Sequence, residues 1–285
     1  MTINNFFEKK NTINCKGNLV LFDTPKIMGI LNFSPDSFYS QSIIKNDKEI
    51  KQRIEKFINE GTDFIDVGGA SSRPGSKKIP IEDEWKRIEP ALKILYNDYP
   101  NILFSVDTYN HAIAERSVLE YGAAIINDIS AGNMDDKMFE TIAKLKVPYI
   151  IMHMRGTPEN MMQLTNYESL VNDIIKYFAD KIEKLKLLGV NDIIIDPGFG
   201  FSKTPEQNYE LLSSLELFNI FQLPVLVGLS RKSMIYKKLN ISPEEALNGT
   251  SVVNTIALMK GADILRVHDV KEAKQVIAIL KNLKQ

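Results

Sequence analysis

The chain has 285 residues, 44% hydrophobic and 25% charged, and its 35 basic and 36 acidic residues leave a formal charge of -1. A chain of this size buries a large core, and its balanced charge excludes a global field for nucleic acid or acidic membrane, so any anion site is local. Cys15 has no second cysteine to pair with, no apolar stretch approaches the roughly 18 residues of a membrane span, and Met1 to Lys10 lacks a signal peptide's apolar core; a soluble, cytoplasmic setting without membrane or nucleic-acid partners is expected.

Residues 12 to 22 read as a small β-hairpin turning at Lys16-Gly17-Asn18. From Lys26 onward, eight short apolar runs alternate with longer amphipathic ones. The runs are Ile27 to Leu31, Phe64 to Val67, Ile102 to Val106, Ala124 to Ile126, Tyr149 to Met152, Ile193 to Ile195, Val225 to Val227 and Ile264 to Val267. Stretches of helical period follow them, as in Ile50, Ile54, Phe57 and Ile58, or Leu170, Ile174, Ile175 and Phe178. Eight strand-then-helix units predict a single α/β domain over 1–285, a (β/α)8 TIM barrel whose hairpin plugs the N-terminal mouth.

Barrels of this kind bind ligands at the C-terminal ends of their strands. Those ends carry Asn32, Gly68-Gly69, Asp107, Asn127-Asp128, His153, Asp196, Ser230-Arg231-Lys232 and Arg266-Val267-His268. The strand Ile193-Ile194-Ile195 stops at Asp196, and Pro197-Gly198 forbids its continuation. Asp107, Asn127 and Asp196 suit a flat heterocycle with adjacent N–H and amino donors, which a carboxylate binds through two parallel hydrogen bonds. The competing reading pairs these acids with Lys232 or Arg266 in structural salt bridges. A second group suits phosphate or diphosphate: Ser71-Ser72-Arg73-Pro74-Gly75 after a Gly-Gly strand end, with Arg266 and His268 two residues apart on one side of a strand. His153 and His268 with Asp107 and Asp196 form an alternative transition-metal set, which keeps metal-dependent hydrolysis as a rival. Gly198-Phe199-Gly200 matches a dinucleotide loop weakly, because Lys203 stands where a third glycine belongs. Cys15 reads as a small buried hydrophobe.

The motifs resemble those of the dihydropteroate synthases. Met28-Gly29-Ile30-Leu31-Asn32-Phe33-Ser34-Pro35-Asp36-Ser37-Phe38 is similar to the family's first signature, and Asp66-Val67-Gly68-Gly69-Ala70-Ser71-Ser72-Arg73-Pro74-Gly75 to its second. Ser105-Val106-Asp107-Thr108, Ile126-Asn127-Asp128, Met152-His153-Met154, Asp196-Pro197-Gly198-Phe199-Gly200-Phe201, Gly228-Leu229-Ser230-Arg231-Lys232-Ser233 and Arg266-Val267-His268-Asp269 follow in the family's order. The resemblance implies condensation of 6-hydroxymethyl-7,8-dihydropterin pyrophosphate with p-aminobenzoate, yielding dihydropteroate and pyrophosphate in folate synthesis. It implies that Asp107, Asn127, Asp196 and Lys232 hold the pterin, with Met152 lining the pocket and Arg266 covering the ring. Asn32, Ser72, Arg73, Arg266 and His268 would hold pyrophosphate, Asn32 through Mg²⁺. Phe38, Pro74, Phe199, Ser230 and Lys232 would form the p-aminobenzoate pocket. Asp107, Asp196, Lys232 and Arg266 are the catalytic set so implied, in a homodimer of the kind that sulfonamides target.

Two departures stand out. The family's Asp-Gly-Gly segment after the Phe38 position is replaced by Tyr39-Ser40-Gln41-Ser42, and Ala70 stands where Glu is frequent. Either Asp36 or Asp47 supplies the missing charge, or none is needed. The rivals to a synthase are a methyltransferase acting on methyltetrahydrofolate, which has no evident use for the Ser-Arg-Lys and Ser-Arg-Pro motifs, and a binding-only paralogue.

Overall fold

Period-two alternation sorts the strand residues into two shells. A computed structural model describes residues 11–34 and 46–283. The eight apolar runs are the parallel strands β3 (Lys26–Asn32), β4 (Phe64–Gly68), β5 (Leu103–Asp107), β6 (Ile125–Asp128), β7 (Tyr149–Met152), β8 (Ile193–Asp196), β9 (Leu226–Val227) and β10 (Ile264–Val267). They hydrogen-bond in the order β8-β7-β6-β5-β4-β3-β10-β9. A parallel bridge between Ile195 and Val225 joins the two ends and nearly closes the barrel.

Helices pack outside: α1 (Asp47–Asn59), α2 (Ile81–Asp98), α3 (His111–Tyr121), α4 (Met138–Leu145), α5 (Leu170–Leu187), α6 (Pro205–Ser213), α7 (Ser233–Leu239), α8 (Leu247–Met259) and α9 (Val270–Leu283). The periodic residues do bury: Ile50, Ile54 and Phe57 on α1, and Leu170, Ile174 and Phe178 on α5. Caps fix the helix starts. Asn46 accepts the Glu49 N–H ahead of α1, and Thr204 and Gln207 form a reciprocal capping box ahead of α6. Among the described residues no helix is long and apolar enough to cross a membrane.

Outward strand residues such as Ile65, Val67, Phe104, Val106, Ile151 and Ile195 join the helices in one large cluster. Inward residues behave differently along the barrel axis. Near the strand starts Met28, Phe64, Ile125, Ile150, Ile194, Leu226 and Ile264 pack together with Ile13 and Cys15 of the hairpin, β1 (Thr12–Cys15) and β2 (Asn18–Leu21). The hairpin therefore closes the N-terminal mouth with apolar contacts. Cys15 is fully buried, which pushes its thiol up to about 12 and leaves it an inert hydrophobe.

Candidate functional site

The same inward parity, followed toward the strand C-termini, changes from apolar to polar. Phe64 leads to Asp66 and Gly68, Ile125 to Asn127, Ile194 to Asp196, and Ile264 to Arg266. Strand register then sets neighbours: Gly68 pairs with Asp107, Asp107 with Asn127, and Met152 with Asp196. Gly68 leaves the Asp107 carboxyl room, since a Cβ there would already touch the Asp107 Cβ at 3.4 Å.

Arg266 organises the acids. Its Nε donates to Asp66 Oδ2 at 2.6 Å and its Nη2 to Asp107 Oδ2 at 2.6 Å. Asp66, wholly buried, also accepts from the Asn127 amide at 3.0 Å and from the Ser105 hydroxyl. The salt-bridge reading thus holds for Asp107 with Arg266. Burial raises the Asp107 carboxyl above the usual carboxylate range, and Asp66 adds to that push while Arg266 opposes it.

Asp196 is 7% exposed and accepts the Gly198 N–H at 2.8 Å. Burial raises its carboxyl, while Lys232 most strongly, then the Gly198 amide and Arg266, pull it back. Lys232 donates from Nζ to the Phe199 carbonyl and lies 4.6 Å from the centre of the Phe201 ring. Burial lowers its ammonium to about 8, against the pull of Asp196 and Asp107. Met152 packs with Tyr109, Ile129, Met154 and Met161, and Phe201 and Ala70 lie against this group at the mouth.

The expected anion group surrounds the same mouth. His268 Nδ1 lies 2.9 Å from the Ser230 hydroxyl, which also accepts the His268 N–H at 3.3 Å. Burial, helped by Arg266, Arg231 and Arg53 and opposed by Asp269, drives the imidazole down to about 3, so it is neutral at pH 7. Asn32 Oδ1 accepts the Ser34 N–H at 2.9 Å. Ser72, Arg73 and Pro74 ride on the loop after β4, half-buried, half-buried and exposed in turn. That loop is braced by Ser76 donating to the Arg73 carbonyl at 2.7 Å, and by the Gly75 N–H reaching Pro158 O at 2.9 Å.

One expected pocket residue is corrected. The Phe199 ring is 0% exposed and sits in the outer core among the helices, so it does not line a pocket at the mouth. Two residues later the chain has crossed Gly200, at φ 79°, and Phe201 is the ring that faces Lys232. Phe38, Asp36 and the segment Tyr39-Ser40-Gln41-Ser42 lie outside the described residues. Asp47 opens α1 on the exposed surface. The transition-metal set does not assemble: among the described residues no three His, Cys, Asp or Glu side chains form a metal-binding group.

Asp66, Phe201 and Arg231 take parts in the site that the strand-end motifs do not assign to them. Arg231, 4% exposed at φ 54°, holds Asp269 through Nε at 2.9 Å and Nη2 at 3.0 Å, and the Pro243 and Glu244 carbonyls through Nη1. It clamps the loop carrying Ser230 and Lys232 to the end of β10. Asp66 had a readable signal, because an acid inside the apolar run Phe64-Ile65-Asp66-Val67, on the parity of an inward residue, demands a buried cation.

The profile of the pterin binding enzyme family covers residues 28–268. The chain belongs to that family. Within it, the dihydropteroate synthase of Escherichia coli is 37% identical over 259 residues, covering 90% of this chain and 91% of that protein. The folic acid synthesis protein fol1 of Pneumocystis carinii is 45% identical over 261 residues; the match takes in 88% of this chain but 35% of that longer protein. The Yersinia pestis dihydropteroate synthase, solved as a sulfonamide drug complex, superposes with a TM-score of 0.92 at 36% identity, covering 96% of this chain and 99% of that one. As a dihydropteroate synthase homologue of the pterin binding enzymes, the chain is a transferase of folate synthesis.

Proposed function

We propose that the chain, read as one domain, joins 6-hydroxymethyl-7,8-dihydropterin pyrophosphate to p-aminobenzoate, with the pterin on Asp107, Asn127 and Asp196. The observation that carries this reading is the trio of inward polar groups at the ends of β5, β6 and β8, two of them carboxyls that burial makes costly without a donor-rich partner. Adjacent N–H and amino donors on the ring satisfy Asp196, and a further donor takes over the Asp107 oxygen that Arg266 occupies. Arg266 keeps Asp66 as its anchor and turns its planar guanidinium over the ring. Lys232 donates to the ring's acceptors, and Met152 supplies an apolar wall.

Ser72, Arg73, Arg266 and His268 receive the diphosphate, His268 as a neutral ring held by Ser230. Mg²⁺ fits the same end. Asn32 offers a neutral carbonyl oxygen with one lone pair taken by the Ser34 N–H and one left over. Mg²⁺ needs little more, since it is commonly held by one or two protein oxygens together with waters and substrate phosphates. When bound, it would neutralise charge on the departing diphosphate.

In the reaction the bond between the pterin methylene carbon and the diphosphate oxygen breaks, and the electron pair leaves with oxygen. The amine lone pair then forms the new carbon–nitrogen bond, and the surplus amine proton passes to solvent. Asp107 and Asp196 favour positive character on the ring while Arg73 and Arg266 favour negative charge on the leaving group, so both act on the separated charges of the transition state. Pro74, Phe201 and Lys232 border the space left for p-aminobenzoate.

The face of α8 bearing Val252, Ile256 and Met259, which are 52%, 37% and 69% exposed at helical spacing, suits the partner subunit of a homodimer. Positional isotope exchange tests the order of bond changes. With ¹⁸O in the bridging position and p-aminobenzoate withheld, the label should scramble into the non-bridging oxygens; a label that stays in place while the complete mixture turns over contradicts departure before attack.

A further inference from the structure

A second lysine lies behind the strand ends, and the reaction as described does not touch it. Lys203 is 2% exposed, yet its Nζ lies within 3.0 Å of three acceptors, the Gly198 carbonyl at 2.9 Å, the Phe201 carbonyl at 3.0 Å and His153 Nδ1 at 3.0 Å, with the His153 carbonyl further off at 3.5 Å. An ammonium has three donors, so the match is complete. The acceptors belong to two neighbouring units, since His153 follows β7 and the carbonyls belong to the loop leaving β8. Packing between those units is already tight: Gly198 has φ 75°, and a Cβ there would sit 2.0 Å from the His153 carbonyl oxygen. The carbonyls of Gly198 and Phe201 go to Lys203, whereas that of Phe199 goes to Lys232. Two lysines therefore hold alternate parts of the segment that begins with Asp196.

Charge runs the same way. Burial pulls Lys203 well below the usual lysine range, Asp196 is the group that opposes this, and Lys232 and Arg155 are the cations that add to it. Lys203 in turn helps to keep the Asp196 carboxyl ionised.

We propose that Lys203 is a positioning residue for the transfer, its buried ammonium locking the Asp196-to-Phe201 loop onto His153 so that the Asp196 carboxylate stands where the pterin's donor edge arrives. The inference rests on the pterin reading of Asp196. It also fixes the state of His153: the ring is neutral, with Nδ1 bare to accept from Lys203 and the proton on Nε2.

The test compares the full wild-type chain with Lys203→Met and Asp196→Asn, measuring affinity for the pterin pyrophosphate across the neutral pH range, KM for p-aminobenzoate, and thermal unfolding. Lys203→Met should weaken pterin binding about tenfold or more and move the acid limb of its pH profile upward, with little change in KM for p-aminobenzoate. Wild-type pterin affinity and an unmoved profile in a folded Lys203→Met chain overturn the proposal, even if the melting temperature falls. Wild-type affinity in Asp196→Asn overturns the pterin reading instead. Should Lys203→Met fail to fold, ¹⁵N spectra of the wild-type His153 ring decide: an unprotonated Nδ1 supports the buried ammonium, and a protonated Nδ1 refutes it.

Discussion

Arg266 binds Asp66 and Asp107 at once, through Nε and Nη2, each at 2.6 Å. Asp66 is fully buried and has no other cation within salt-bridge distance among the described residues. Removing one partner of a buried pair leaves an uncompensated charge. Asp66→Ala should therefore cost about 3 kcal/mol of folding free energy, the lower end for such a pair because Arg266 keeps Asp107 and some exposure. Denaturant unfolding measures it, and a change below about 0.5 kcal/mol would show that the arginine finds water instead.

His268 ties stability to acid. Its folded imidazole is held down to about 3, below its ordinary value of 6.5. Between these values the unfolded chain binds a proton that the folded chain refuses, so the contribution is fully present above about 6.5 and drains away as pH falls toward 3. His268→Asn should flatten the stability profile over that window in chemical unfolding at several pH values; an unchanged slope contradicts the buried neutral ring.

Lys232 sets an alkaline limit. Burial lowers it to about 8, and its ammonium donates a stronger, charge-assisted hydrogen bond to a ring acceptor than the neutral amine does. Pterin affinity should decline as pH rises through about 8, and Lys232→Met should bind weakly at all pH values with that limb gone. A wild-type limb surviving in Lys232→Met would assign the titration elsewhere.

Gly198 carries a steric test. At φ 75° and with a prospective Cβ 2.0 Å from the His153 carbonyl oxygen, the position tolerates neither the conformation nor the volume of alanine. Gly198→Ala should destabilise the chain by about 3 kcal/mol or more. Gly75→Ala shares a positive φ, 84°, but meets no atom within 4 Å, so it should cost about 1 kcal/mol. Equal melting temperatures for the two variants would contradict the clash.

The strand ends are legible because a barrel's ligand-binding polar groups gather at that face. The apolar runs Tyr149 to Met152 and Ile264 to Val267 coincide with β7 and β10, while β5, β6 and β8 each run one or two residues beyond their apolar runs, so that Asp107, Asp128 and Asp196 are the last ladder residues rather than the first loop residues. An acid still paired in the ladder is held by backbone hydrogen bonds, which apolar runs do not reveal. Side-chain direction around glycine was illegible: Phe199 and Phe201 flank Gly200, and the positive φ there decides which ring meets the site. Long-range pairings were equally hidden. Nothing in the local sequence joins Arg266 to Asp66, 200 positions apart, although the acid inside an apolar strand announced that some cation was needed.

Turnover tests the account most directly. The purified chain, given Mg²⁺, 6-hydroxymethyl-7,8-dihydropterin pyrophosphate and p-aminobenzoate, should form dihydropteroate and pyrophosphate in equal amounts, and Asp196→Asn should lose pterin affinity and product together while keeping its fold. Pterin binding with no dihydropteroate from the wild-type chain would contradict the synthase assignment in favour of a binding-only protein.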